Sequence, residues 1–345
     1  MRVTPSVVGG ALLAALAVSP QPSIAQGLML SGYADLEVNL DKLGSDNSEF
    51  YLDNHHFNLI ALGKLVENVF AAAEIEFEHA GEEIAFEYGY ISYTGLRNLR
   101  VQAGKFIVPF GRFNKDLHPT WINKMPDRPN GFANVFPQTY SDVGVWLSGG
   151  APLGTAGARL AFDAFVVNGL MGDDGGDIRD MRDNDRDKAT GGRDDSKALG
   201  GRLGVELAPQ GFDIGASGYF GNYVNVADSS LTLAMFGVDA SYHNRGLEIR
   251  AEGVLADQEA TGGSLSKKGG YAQVAYLIQA KYEPVIRFSM RDMPGEDSDR
   301  SRISFGANYY VSASSAIRLA YHVNIEKSGF ESDNNKLVAQ YTMSF

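Results

Sequence analysis

The chain has 345 residues, a formal net charge of −12, 40 glycines and no cysteine. The acidic balance argues against a nucleic-acid partner. The missing cysteines exclude a disulfide framework, which a chain of this size does not need to build a core.

Residues 1–25 read as a secretory signal peptide. Arg2 is followed by an apolar run over residues 7–18, and Ser23 and Ala25 stand at −3 and −1 of a cleavage before Gln26. That run is too short for a spanning helix, and no later run is long and apolar enough. Residues 26–345 are then one exported domain.

From Gln26 onward the chain alternates with a period of two. Leu28, Leu30, Leu36, Val38 and Leu40 share one face, and Tyr33, Asp35, Glu37 and Asn39 share the other. The same pattern recurs in Val69, Ala71, Ala73, Ile75 and Phe77 against Glu74, Glu76 and Glu78, and in Leu247, Ile249 and Ala251 against Glu248, Arg250 and Glu252. Such alternation marks half-buried strands. Segmentation gives about sixteen of them, with nothing helical between, as expected of an even-stranded outer-membrane barrel. Short turns alternate with longer loops at 41–54, 107–141, 169–197, 258–268, 293–301 and 327–334. Loop parity favours a transmembrane antiparallel β-barrel over a sandwich, with the apolar face towards outer-membrane lipid and the charged face lining water. Tyr341, Met343 and the final Phe345 resemble the terminal strand that the barrel assembly machinery reads in bacterial outer-membrane proteins.

Residues 104–142 carry five of the twelve prolines, at 109, 119, 126, 129 and 137, so they cannot form a central strand. They also hold Phe106, Phe110, Phe113, Trp121, Phe132 and Phe136. An aromatic-rich loop of this length packs against something, and 107–141 is expected to fold inward after the fifth strand as a constriction. Its basic groups, Lys105, Arg112, Lys115, His118, Lys124 and Arg128, are candidate pore-lining residues, joined by Arg202, Arg250, Arg287, Arg291, Arg302 and Arg318 on the inward parity of later strands. Inward acids gather on early strands as Asp35, Glu37, Glu74, Glu76, Glu78 and Glu87. Arcs of charge set ion preference in pores. Two readings of the basic set stand side by side: a filter that leans towards anions, or ion pairs that only hold the loop.

The stretch GKFIVPFG at 104–111, with His118-Pro119, Trp121, Asn168-Gly169 and Gly200-Gly201-Arg202, resembles the phosphate-selective porin O and P family. That resemblance implies a trimeric sixteen-stranded barrel with the loop after the fifth strand in the lumen. The function expected is passive diffusion of small hydrophilic solutes through the bacterial outer membrane, with a weak lean towards anions. The partners expected are lipid, lipopolysaccharide, the assembly machinery and two further copies of the chain. A dedicated phosphate or other anion channel is the alternative. From other classes, a barrel enzyme and an exported ligand-binding β protein remain.

The loop 169–197 is acidic, and Asp183, Asp185, Asp187 and Asp194 follow the 1, 3, 5 and 12 spacing of a calcium loop. Lys188 stands where that loop needs glycine, so a solvated surface loop without cofactor is the default and calcium the alternative. The six histidines show no ligand spacing beyond His55-His56, whose side chains should point to opposite faces of a strand. No nucleophile motif is present, and no enzyme is expected. A Ser304–His322 pair on neighbouring strands is the one catalytic candidate, and two polar lumen residues its plainer reading.

Overall fold

The computed structural model describes residues 27–43, 48–137, 139–154, 157–178, 197–226, 229–295, 300–330 and 332–345. The signal segment and Asp183, Asp185, Asp187 and Asp194 lie outside them.

The strands are β1 (Leu28–Asp41), β2 (Glu49–Val66), β3 (Val69–Glu78), β4 (Glu83–Leu96), β5 (Leu99–Ile107), β6 (Ser141–Leu153), β7 (Ala158–Val167) and β8 (Ala198–Leu207). There follow β9 (Phe212–Val226), β10 (Ser229–Asn244), β11 (Leu247–Ala260), β12 (Gly263–Tyr276), β13 (Tyr282–Asp292), β14 (Arg300–Ser312), β15 (Ser315–Glu326) and β16 (Lys336–Ser344). Each pairs antiparallel with its chain neighbours, and β16 pairs with β1, closing a sixteen-stranded barrel. At the seam Phe345 and Gly32 exchange two backbone hydrogen bonds of 2.9 Å. The Phe345 ring stacks on Phe57 with centroids 6.0 Å apart.

One rim carries only short turns, such as 67–68, 97–98, 245–246 and 313–314. The other carries the long connections, including 108–140 and 168–197. Two expected loops shrink: β2 already begins at Glu49, and β11 and β12 continue to a tight hairpin at 261–262. In the second case alternation continues through polar residues such as Gln258 and Lys267, which are buried inside the barrel.

The faces are inverted relative to a water-soluble protein. Leu30, Leu59, Ile91, Leu203, Val238, Leu255, Ile286 and Leu319 are exposed on the outside, whereas Asn58, Gln102, Asp239 and Gln340 are buried within. A Lys or Arg turned to lipid at mid-membrane costs about 2–4 kcal/mol, which keeps charge on the inner parity. Aromatic pairs Phe212–Tyr242 (4.5 Å) and Tyr282–Tyr309 (5.5 Å) sit near the short turns, where an interfacial belt belongs.

One register shift matters later. Asp35 pairs with His56 but Glu37 pairs with Asp53, so Asn54 and His55 oppose Leu36 alone. This bulge breaks the alternation that would send His55 and His56 to opposite faces. Their rings lie 4.0 Å apart, correcting the sequence expectation.

Candidate functional site

Residues 108–140 fold into the barrel. The neck of the loop is tied by one side chain. A single π-type turn at Phe113–Leu117 places Asn114 so that its amide donates to the carbonyls of Val108 (2.9 Å) and Tyr140 (3.3 Å). The Asn114 oxygen accepts from the Tyr140 N–H at 3.1 Å. Tyr140 in turn donates its hydroxyl to Asp142 (2.8 Å), which also accepts the Gly169 N–H (2.8 Å) and so links two loops.

The aromatics of the loop build a small apolar core inside the polar lumen. Phe110 stacks on Phe136 at 4.4 Å, and Phe113 and Phe132 meet Tyr271 edge-on at 6.1 and 6.4 Å. The wall beneath lacks side chains where the loop lands. A Cβ on Gly237 would meet the Phe110 ring at 2.9 Å, and one on Gly306 would meet the Met125 sulfur at 2.7 Å. The short helix α1 (Asn130–Val135) sits against β12 and β13, and a Cβ on its Gly131 would overlap the carbonyls of Gly270 and Met290.

Around this apolar contact runs a polar seat. Gly111 N–H donates to Ser217 Oγ (3.0 Å) and Arg112 N–H to Glu252 Oε2 (3.0 Å), while the Tyr271 hydroxyl holds the other Glu252 oxygen at 2.7 Å. Arg287 donates to the Asp127 carbonyl (2.7 Å), and Arg318 to the carbonyls of Thr120 and Trp121. The Asp127 carboxylate meets Arg302 (3.2 Å), His322 (3.3 Å) and Lys336 (3.7 Å). Burial alone would raise the Asp127 pKa, but His322, Lys336, Arg302 and Arg287 hold it well below the usual carboxylate range. Thr120 donates to Asp35 on β1.

The sequence-predicted basic residues therefore separate into groups. Lys115 bridges to Asp163 (2.7 Å) and lies 5.4 Å from the Trp146 ring centroid. Lys124 pairs with Glu283 and Glu248, and Arg250 with Glu248 at 2.9 Å. Arg202 is enclosed by Asp239 (2.6 Å) and Asp213 (2.7 Å), lying over Gly204 and Gly215. Arg287 and Arg318 are 0% and 1% exposed, so they support loop backbone instead of lining water, a correction to their pore-lining reading. Lys105 is corrected too: it pairs with Gly89 and with Val143, whose side chain is exposed on the outer face, so its register row is the outward one. It lies two residues before the end of β5, and its charge acts on Glu87. Arg291 sits half-buried on β13.

Arg112 stays one-third exposed, 3.2 Å from Asp116. It lines, with Asp239, Ser241, Glu248 and Arg250, a cavity of about 180 Å³ beneath the loop. Arg128 is half-buried and has no ion pair within 4 Å among the described residues; its charge acts on Glu78 and Glu87 across the lumen. His118 is buried, with Nδ1 2.9 Å from the Asn114 carbonyl. Burial, with Arg128 adding, pushes its pKa down to about 3, so it is neutral at pH 7.

Sequence reasoning named the cations and missed most of their partners: Asp163, Asp213, Asp239, Glu283 and the neck residue Asn114. The signal was present as opposite charge on the same inward parity of β7–β13, but only strand register says which groups touch.

Ser304 and His322 do come together, with Oγ 2.7 Å from Nδ1, and His322 Nε2 faces Asp127. The order imitates a serine–histidine–aspartate relay. Both Ser304 and His322 are 0% exposed beneath the loop, and Asp127 is shared with Arg302 and Lys336, so no substrate carbonyl can reach the hydroxyl. The group is built as a loop anchor.

Comparison with known proteins agrees with this architecture. A 26% identical relative over 298 residues is an uncharacterized protein of Aquifex aeolicus (strain VF5), with 77% of this chain aligned to 65% of that one. The chain thus spans just under two thirds of that relative's length. Among solved structures, the anion-selective porin from Comamonas acidovorans superposes with a TM-score of 0.65 at 14% identity, covering 92% of this chain and 99% of that one. Salmonella typhi OmpF, solved with daunomycin, gives 0.63 at 13% identity (92% and 97%). The trimer form of OmpT from Vibrio cholerae gives 0.61 at 9% identity (92% and 99%). These likenesses show the fold. Family and barrel fold together support a place in the bacterial outer membrane. Residues 25–245 match the phosphate-selective porin O and P family, and the chain belongs to it.

Proposed function

We propose that this protein is a porin for passive diffusion of small hydrophilic solutes, with its path between the inward loop and the β2–β5 wall. The observation that carries the reading is the one-sided seat of the loop. Its hydrogen bonds and ion pairs described above go to β1, β7, β9, β11 and β13–β16. The opposite wall carries Glu74, Glu76 and Glu87, all nearly buried. Arg128 at the loop edge and these carboxylates set a field across the path rather than along it, which orients solutes without admitting only one sign of charge.

A second reading, an anion-selective channel, is favoured by Arg128, whereas Lys115, Lys124 and Arg202 are neutralised by carboxylates. A phosphate ladder finds no support in Arg287 and Arg318, which serve the loop. The fold's likeness to a porin named anion-selective and to a trimeric form supports a weak anion lean and a homotrimer. The exposed apolar belt fits contact with lipid and lipopolysaccharide, and the terminal strand fits handling by the assembly machinery. Calcium at the acidic loop would rest on spacing alone, at residues outside those described.

Single-channel current in a planar bilayer under a KCl gradient tests the reading. Stepwise conductance with a reversal potential slightly towards chloride is expected. Absence of conductance would mean that the loop plugs the barrel.

A further inference from the structure

We propose that the long-loop mouth of the β2–β3 wall is a binding site for a divalent transition-metal ion of the zinc class, with His55, His79 and Asp53 as its ligands. The β2 bulge turns His55 towards the inner face, and the short connection after β3 brings His79 beside it, with rings stacked at 5.4 Å. Asp53 Oδ2 lies 2.8 Å from His79 Nδ1. One ligand atom from each of the three falls within 4.8 Å of the others. Two imidazoles and one carboxylate form a donor set that suits zinc and its neighbours, whereas magnesium and calcium take oxygen. His79 is nearly half exposed, so an ion can enter and keep a solvent or solute ligand.

A second set of donors adjoins the first. His56, 2% exposed beside this cluster, stands between two carboxylates. Its Nδ1 faces Asp35 at 3.1 Å, the arrangement that fixes a metal-binding imidazole in one orientation. Its Nε2 lies 3.3 Å from Glu78 Oε1. Two ligands on a tetrahedral ion with bonds of about 2.0–2.1 Å stand roughly that far apart. His56, Glu76 and Glu78 thus form an adjoining deeper set of three, again with ligand atoms within 4.8 Å of one another. His55 Nδ1 likewise stands 3.3 Å from Glu37 Oε1. An ion captured at the mouth has a next position further in, along the same wall that borders the proposed path.

The test is zinc titration of the purified full-length barrel in detergent by calorimetry, a readout that does not require the pore to conduct. Saturable binding is expected, undisturbed by excess magnesium and weakened ~10-fold or more in His79→Ala and His55→Ala. Intact folding of each variant is read from heat-modifiable gel mobility. Should His55→Ala fail to fold, His79→Gln, on an exposed turn, and zinc protection of His79 from carbethoxylation carry the same decision. No saturable binding by the wild-type protein would overturn the proposal. So would zinc affinity unchanged in folded His79 variants, which would mark adventitious binding elsewhere.

Discussion

Asp127 and Arg128 are neighbours in the chain and face opposite sides of the lumen. Asp127 meets Arg302, His322 and Lys336 on β14–β16, while the charge of Arg128 acts on Glu78 and Glu87 on β3 and β4. The loop therefore sits in the barrel as an oriented dipole between a basic and an acidic wall.

Replacing Asp127 by Asn should loosen the loop. Removing one partner of a fully buried ion pair costs about 3–5 kcal/mol, and the loss here should be smaller because the Asp127 side chain is 19% exposed. Larger and noisier single-channel currents are expected, with the barrel itself still closed and heat-modifiable. An unchanged current trace would show that the aromatic core and Arg318 suffice to seat the loop.

Arg128→Ala should act on selectivity and spare stability, since no ion pair within 4 Å is lost among the described residues. The reversal potential should move towards the potassium side, and Arg128→Glu should move it further. Lys115→Ala, which exposes Asp163 as well as removing a cation, should disturb stability more.

Gly131→Ala should displace α1, because the new methyl group would overlap the carbonyls of Gly270 and Met290. Neither carbonyl can move without breaking the barrel ladder. Gly237→Ala should be milder, because the Phe110 ring at 2.9 Å can shift. Thermal unfolding of the two variants, read by loss of heat-modifiable mobility, should rank them in that order below wild type.

Acid should weaken the seat. His118 has a folded value of about 3 against an ordinary 6.5, so the displaced loop binds a proton before the seated loop does. Seating is then fullest above about pH 6.5 and falls by about 1.4 kcal/mol per pH unit down to about 3. Asp127, whose folded pKa lies below 3.8, adds a loss in the same direction below that value. The groups facing His118 are the Asn114 carbonyl, Arg128 and His56. Open-channel noise should rise between pH 7 and 5, and His118→Gln should flatten that rise.

The barrel was legible because its two determinants are local: alternation within each strand and the contrast between rims. Leu36 against Asp35 and Glu37 tells a strand's orientation without knowledge of its partner. Proline and phenylalanine content likewise marked 107–141 as an ordered, inserted loop. Pairing was not legible. Lys124 meets Glu283 and Arg202 meets Asp239 through register, which no single strand encodes. Nor was the bulge at Asn54 and His55, which reverses the side one histidine takes and converts an apparently split pair into a cluster.

The missing side chains at Gly237, Gly269 and Gly306 have a mechanical consequence. The inner wall is a mould whose hollows match Phe110, α1 and Met125 one for one. Such a fit has a single register, so the loop cannot creep around the barrel by one strand and settle again. Any opening motion is confined to a swing about the Asn114–Tyr140 neck, all of the seat releasing together, and gating of this pore would be abrupt, not graded.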